Sequence, residues 1–86
     1  MVFVVGTVLT LLLPVSTLEK GLLVSSLVLI LLMELVNTAV EVIVDRISKD
    51  YHELSKKAKD IGSLLVLLSF INAGIVWTAV LARHFL

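Results

Sequence analysis

Three apolar stretches, separated by two polar connections, set the pattern of this chain. They cover residues 2–13, residues 22–33 with a mixed continuation to about 48, and residues 61–81. About 20 helical residues cross the roughly 30 Å of hydrocarbon in a bilayer, so the second and third stretches are long enough to span it. The first covers only about 20 Å. We predict one membrane-embedded domain over residues 1–86, with helices at about 1–13, 22–48 and 60–84. The first is expected to be a truncated spanning helix that lacks its N-terminal half.

The two connections predict how the helices begin and how they are oriented. Pro14 stops the first helix, and Ser16 or Thr17 can cap the second, with Glu19 in its first turn. Of the seven Lys and Arg residues, five lie between the second and third apolar stretches. The positive-inside rule therefore predicts that loop 45–60 is cytoplasmic and that the C-terminus is periplasmic.

Composition narrows the class of protein. With 59% hydrophobic residues and a mean hydropathy of +1.14, 86 residues are too apolar for a soluble domain of this size. A formal net charge of zero gives no basic field for nucleic-acid binding. The absence of cysteine excludes disulfides, thiolate metal sites and cysteine nucleophiles. The four glycines show no phosphate-loop spacing.

A polar stripe crosses the second half of the long apolar helix. Glu34, Asn37, Glu41 and Asp45 fall within roughly 80° of one another on a helix. A charge near the bilayer centre costs about 2.5–3.5 kcal/mol on insertion scales, so Glu34 is a functional candidate by default. The alternative interpretation of Glu34 is a protonated side chain that holds helices together by hydrogen bonds.

The stripe also contains a possible metal site. Glu41 and Asp45 are one turn apart, and Mg²⁺ takes oxygen ligands while bridging substrate phosphates. The alternative is a solvated helix end.

Other polar residues are candidates for either a functional or a structural role. Lys56, Lys57 and Lys59 could meet phosphate or only satisfy the positive-inside rule. Asp60 could cap the third helix. His52 is better explained as a polar loop residue than as a metal ligand, and Trp77 as an interface anchor. Small residues of the third segment permit close helix approach: Gly62, Ser63, Ala73 and Gly74.

Two motifs, in fixed order between spanning segments, carry a family resemblance. They are Glu34-x-x-Asn37-Thr38-Ala39-Val40-Glu41-x-x-Val44-Asp45-Arg46, and Tyr51-His52-Glu53-Leu54-Ser55 with Ala58-Lys59-Asp60-Ile61-Gly62-Ser63. The chain resembles the prokaryotic diacylglycerol kinase family over essentially its whole length. Residues 45–63 are more similar to the diacylglycerol kinases of Gram-negative bacteria than to the undecaprenol kinases of Gram-positive ones.

The resemblance implies an all-α integral membrane protein, a homotrimer of three-helix subunits in the bacterial inner membrane. It implies transfer of the γ-phosphate of MgATP to diacylglycerol, giving phosphatidic acid and ADP for phospholipid metabolism. Glu34 is then the general base, Asn37 supports it, and Glu41 binds Mg²⁺ and ATP. The remaining ATP-binding residues implied are Asp50, Tyr51, His52, Lys59 and Asp60. Lipid contacts implied are Glu34, Ser63, Trp77, Thr78, Ala79, Val80, Leu81 and Ala82.

One region of the family has no counterpart in this sequence. Family members begin with an amphipathic surface helix and a complete first spanning helix, which supply a second metal-binding glutamate. The alternatives are therefore an undecaprenol kinase, or a non-catalytic or degenerate helical membrane protein. A proton or cation path is a further alternative, which the apolar run below Glu34 disfavours.

Overall fold

The described part of the chain forms three helices, with short connections between them. The computed structural model describes residues 2–47, 50 and 52–86. Helix α1 is Val2–Leu12, α2 is Thr17–Ile47 and α3 is Glu53–Phe85. The prediction of an all-helical chain with three helices is confirmed, whereas Met1, Ser48, Lys49 and Tyr51 lie outside the described residues.

A reciprocal cap determines where α2 begins. The Ser16 hydroxyl oxygen accepts a hydrogen bond from the backbone N–H of Glu19 at 3.1 Å. In return, the Glu19 carboxylate accepts from the Ser16 backbone N–H at 3.2 Å and from its hydroxyl at 2.7 Å. This pairing is a capping box, which satisfies N–H groups at the start of a helix. The helix therefore starts at Thr17, five residues before the apolar stretch at Leu22.

Helix α3 also begins before its apolar stretch. His52 is its N-cap, and the Nδ1 atom of His52 accepts a hydrogen bond from the backbone N–H of Leu54 at 3.0 Å. The start at Glu53 lies seven residues before the predicted start near residue 60. Asp60 consequently lies about two turns inside the helix, where it cannot act as the cap.

Helix α2 is central and packs against both α1 and α3. Leu27 and Ile30 of α2 form a buried cluster with Ala73 of α3. Phe3 of α1 and Trp77 of α3 pack against this cluster, so all three helices meet there.

Two of the helices are long and apolar enough to cross a membrane. Each of α2 and α3 contains an 18-residue stretch of mean hydropathy 2.3, and only 17% of that stretch is buried within the chain. The core helix of a soluble protein would be mostly buried. At 31 residues, α2 is about 46 Å long and extends beyond the roughly 30 Å of a hydrocarbon core. Its polar ends therefore have room outside the apolar layer.

Candidate functional site

The predicted polar stripe lies on α2 near the end that connects to α3. Glu34, Glu41 and Asp45 are exposed, and Asn37 is partly buried. Two of the four contact α3 directly: Asn37 lies against Gly62, and Asp45 pairs with Lys59. The stripe thus begins at an apolar depth with Glu34 and ends beside a cation of the neighbouring helix.

Asn37 is the best-enclosed member of the stripe. Its Nδ2 atom lies 3.5 Å from Oε1 of Glu41, a long hydrogen bond within one helix. Its Oδ1 atom is buried and has no hydrogen-bond partner among the described residues. A buried polar atom without a partner carries a free-energy cost of about 1–3 kcal/mol. A functional role is one explanation for such an atom.

Asp45 and Lys59 join the two helices at the polar end. The Lys59 Nζ atom donates to Oδ1 of Asp45 at 2.7 Å, and their side chains are 42% and 47% exposed, respectively. An ion pair this exposed contributes little to stability, because water and salt screen it. Lys59 therefore remains accessible to a negatively charged ligand.

Glu34 faces an apolar groove between α1 and α2. The groove has a volume of about 250 Å³, and Glu34 is the only ionisable residue among its described lining residues, Val2, Phe3, Leu27, Ile30, Leu31 and Glu34. The Glu34 side chain makes no hydrogen bond or ion pair within the part of the chain that the structure describes. The geometry therefore presents an uncommitted carboxylate to an apolar space.

The residues predicted for ATP are distributed over three places. Asp50 and His52 line a cavity of about 450 Å³ at the α2–α3 connection, together with Val44, Ile47, Leu54, Ser55 and Ala58. Lys59 lies beside Asp45. Asp60 pairs with Lys56 at 2.8 Å and lines a separate groove, with Glu53, Lys57, Ile61 and Leu64. Tyr51 lies outside the described residues. Among the described residues of one chain, these groups line different pockets.

The residues predicted for the lipid differ widely in exposure. Ser63, Thr78 and Ala79 are exposed, whereas Leu81 and Ala82 are partly buried. Val80 is buried in the helix packing.

Trp77 has a more specific role than the sequence indicated. Its indole N–H donates to the Ser26 hydroxyl oxygen at 3.1 Å. Trp77 thus joins α3 to α2 beside the buried cluster.

The sequence did not predict a cluster of one carboxylate and two basic side chains at the opposite end of the α2–α3 pair. Nε2 of His84 lies 2.9 Å from both carboxylate oxygens of Glu19, and Arg83 lies 3.9 Å away. Glu19 is only 5% exposed. Its position in the first turn of α2 was the available signal, but only the antiparallel packing brings His84 to it.

Few of the described side chains of one chain are placed to bind the predicted divalent metal. No group of three or more His, Cys, Asp or Glu side chains is arranged to hold a metal ion among the described residues. Mg²⁺, however, is commonly held by one or two carboxylates together with substrate phosphates and waters. Glu41, exposed and next to the Asn37 amide, fits that sparse mode of binding.

Comparison with known proteins gives a matching family model and several similar bacterial proteins. The sequence model described as prokaryotic diacylglycerol kinase matches residues 1–81. A diacylglycerol kinase of Escherichia coli strain K12 is 47% identical over 73 residues, covering 85% of this chain and 60% of the relative. One from Haemophilus influenzae is 45% identical over 73 residues, covering 85% and 62%. One from Pseudomonas aeruginosa is 40% identical over 70 residues, covering 81% and 57%. The chain therefore spans about 60% of the length of the curated relatives it matches.

Proposed function

We propose the function of this chain from one premise: the chain belongs to the prokaryotic diacylglycerol kinase family. The proposed reaction is transfer of the γ-phosphate of ATP to the free hydroxyl of diacylglycerol, giving phosphatidic acid and ADP. The relatives are named diacylglycerol kinases. The matched region includes the whole polar stripe of α2 and its partners on α3.

The uncommitted Glu34 carboxylate is the observation that carries this proposal. A carboxylate that served only to hold helices together would be bonded to a neighbouring helix, and Glu34 has no such bond within the described chain. Its groove is otherwise apolar, which suits an acyl chain or glycerol backbone better than a nucleotide. An ionisable group placed in this way is best explained by chemistry on a lipid hydroxyl.

The proposed chemistry needs a base and positioned charges rather than a covalent intermediate. Glu34 accepts the proton of the lipid hydroxyl, and the hydroxyl oxygen forms a bond to the γ-phosphorus. The bond from that phosphorus to the β,γ-bridging oxygen breaks, and ADP leaves with the electron pair. Phosphoryl transfer depends mainly on alignment and charge stabilisation, so few protein groups are needed.

Mg²⁺ is the proposed metal, with Glu41 as its ligand from this chain. Bound Mg²⁺ supplies charge neutralisation at the ATP phosphates. The Asn37 amide supports Glu41, and Lys59 supplies a further positive charge for the phosphates after release from Asp45. Asp50, Tyr51, His52 and Asp60 are proposed to contact the nucleotide.

The dispersed nucleotide residues support a multi-subunit site. We propose a homotrimer in the bacterial inner membrane, in which faces of neighbouring subunits complete the site. The loop between α2 and α3 is then cytoplasmic, where ATP is available, and the C-terminus is periplasmic. Exposed apolar side chains are abundant on all three helices, as expected for surfaces covered by lipid or by further subunits.

The test is an ATP-dependent phosphorylation assay on the purified 86-residue chain in lipid vesicles. Vesicles containing diacylglycerol should yield phosphatidic acid with MgATP. Glu34→Gln should lower the rate by about 100-fold or more, since general-base catalysis contributes 10²–10⁴-fold. Glu53→Gln, an exposed acid in the first turn of α3, is the matched control and should retain activity.

Two other outcomes would redirect the assignment. Faster phosphorylation of undecaprenol offered in the same assay would favour an undecaprenol kinase. No product from either lipid, with Glu34→Gln leaving trimer stability unchanged or improved and MgATP giving no thermal shift, would identify a non-catalytic helical protein.

A further inference from the structure

Gly62 of α3 lies directly opposite Asn37 of α2, and we propose that Gly62 is a positioning residue for the Asn37 amide. Gly62 is buried. A Cβ atom added at residue 62 would overlap the Oδ1 atom of Asn37 and lie 3.4 Å from its Cγ and 3.5 Å from its Cα. The missing side chain therefore leaves room for one particular amide orientation. The catalytic consequence of this proposal rests on the proposed function, whereas the contact itself does not.

The geometry explains how a buried amide oxygen is accommodated there. The direction of the absent Cβ is the direction of a Cα–H bond in glycine, so this bond of Gly62 points at the Asn37 carbonyl oxygen. Contacts between Cα–H and carbonyl oxygen recur at helix–helix interfaces and are weakly favourable. This contact offsets part of the cost of an oxygen that has no hydrogen-bond donor among the described residues.

Glu41 fixes which end of the amide faces α3. The Asn37 Nδ2 atom lies 3.5 Å from the Glu41 carboxylate, so it donates toward a negative charge. The reversed amide would bring two oxygen atoms together at that distance, which is unfavourable. Gly62 and Glu41 thus act on opposite ends of one amide group, which leaves Nδ2 directed at the proposed metal carboxylate.

A methyl group at residue 62 should disturb this orientation specifically. The contacts with Cγ and Cα of Asn37 are close but tolerable, so only Oδ1 must move far. Rotation of the amide is the simplest relief, and that rotation takes Nδ2 away from Glu41. Because the Nδ2 to Glu41 distance is already at the limit for a hydrogen bond, a small rotation breaks it. We expect Gly62→Ala to fold and to lose the support of Glu41.

The same helix offers a matched control. A Cβ atom added at Gly74 would have no neighbour within 4 Å, although Gly74 is also a helical glycine of α3. Replacing either glycine by alanine changes helix propensity by the same amount. Because Gly62 is buried and Gly74 is exposed, a difference between the two variants reports packing at residue 62, and the Asn37→Ala background shows how much of it comes from Asn37.

The experiment is a double-mutant cycle read by thermal unfolding and by kinetics. The variants are Gly62→Ala, Asn37→Ala, their combination, and Gly74→Ala, each as the full chain in the same detergent and lipid. Gly62→Ala should lower the melting temperature when Asn37 is present and much less when residue 37 is alanine. In the kinase assay, Gly62→Ala should lower kcat/KM for MgATP by roughly 10- to 100-fold, as small misplacements do. The KM for diacylglycerol should stay the same.

The outcomes separate this proposal from the proposed function. If Gly62→Ala behaves like Gly74→Ala, or its thermal effect is the same with and without Asn37, Gly62 does not position the amide. Equal rises of KM for lipid and for MgATP would indicate general loosening of the site and overturn the proposal. A parent chain without kinase activity would refute the proposed function, and the thermal cycle would still decide whether Gly62 orients Asn37.

Discussion

The hydrogen bond between Trp77 and Ser26 yields the most direct prediction about how α2 and α3 hold together. Trp77 Nε1 donates to the Ser26 hydroxyl oxygen at 3.1 Å, and Ser26 is only 3% exposed. The Ser26 hydroxyl in turn donates to the Leu23 carbonyl oxygen at 2.6 Å. Ser26→Ala removes the acceptor and leaves the indole N–H without a partner in an apolar layer.

The size of this effect follows from the membrane setting. Hydrogen bonds between membrane helices are worth about 0.6 kcal/mol on average and up to about 1.7 kcal/mol. A fully buried donor left without its partner costs about 1–3 kcal/mol. Trp77 is only partly buried, so part of this cost can be relieved by other acceptors at its exposed edge. We therefore expect Ser26→Ala to lower the free energy of unfolding by about 1–2 kcal/mol.

The assay is reversible unfolding in mixed micelles, followed by far-UV circular dichroism, which reports helix content in every variant. Trp77 is the only tryptophan, so its emission spectrum gives a second readout in the variants that keep it. The control is Ser25→Ala, since Ser25 is the exposed neighbour of Ser26. Trp77→Phe removes the donor, and in that background Ser26→Ala should cost much less.

Two results would refute the reasoning. Equal unfolding free energies for Ser26→Ala and Ser25→Ala would show that the bond contributes nothing to stability. An undiminished loss from Ser26→Ala in the Trp77→Phe background would show that Ser26 acts through another partner.

Two further predictions concern the carboxylates at the ends of the helix pair. Glu19→Gln should lower the melting temperature more than Glu53→Gln. The buried Glu19 carboxylate bonds to Ser16 and His84, whereas Glu53 is an exposed acid in the first turn of α3. Equal shifts in thermal unfolding would contradict this prediction. Lys59→Met should change thermal stability little, because its ion pair with Asp45 is about half exposed, and should raise the KM for MgATP strongly in the phosphorylation assay. Lys57→Met is the matched control, and an equal loss of activity in both variants would argue for a general charge effect.

Hydropathy predicted the number of helices but misplaced their starts. The apolar stretches begin at Leu22 and Ile61, and the helices begin at Thr17 and Glu53. Capping decides the start of a helix, and the turns between a cap and an apolar stretch carry no hydropathy signal. The residue type of Ser16 predicts a helix cap, because serine is a preferred N-cap residue. The residue type of His52 does not predict one, because histidine is not among the preferred N-cap residues.

The sequence predicts which site residues share one face of α2, but it does not predict which residues of α3 they contact. The spacing of Glu34, Asn37 and Glu41 requires only a helical period, and the structure keeps them on one helix. The partners of the stripe depend on how α2 and α3 align. The small size of Gly62 does not distinguish it from Gly74, where an added Cβ atom would have no neighbour within 4 Å.

The two ends of the α2–α3 pair show what separates a structural carboxylate from a functional one. Glu19 is buried, and both of its carboxylate oxygens are bonded within the chain, to Ser16 and His84, so it stabilises the junction. Glu34 lies in an apolar groove, and its carboxylate is unbonded within the described residues. The sequence places Glu19 in a polar connection and Glu34 in an apolar run, but it does not show which partners either acid has. The partners that packing within the chain supplies make the difference. A carboxylate that has its partners stabilises one fold, whereas a carboxylate left unbonded in an apolar groove is available to a ligand or a reaction.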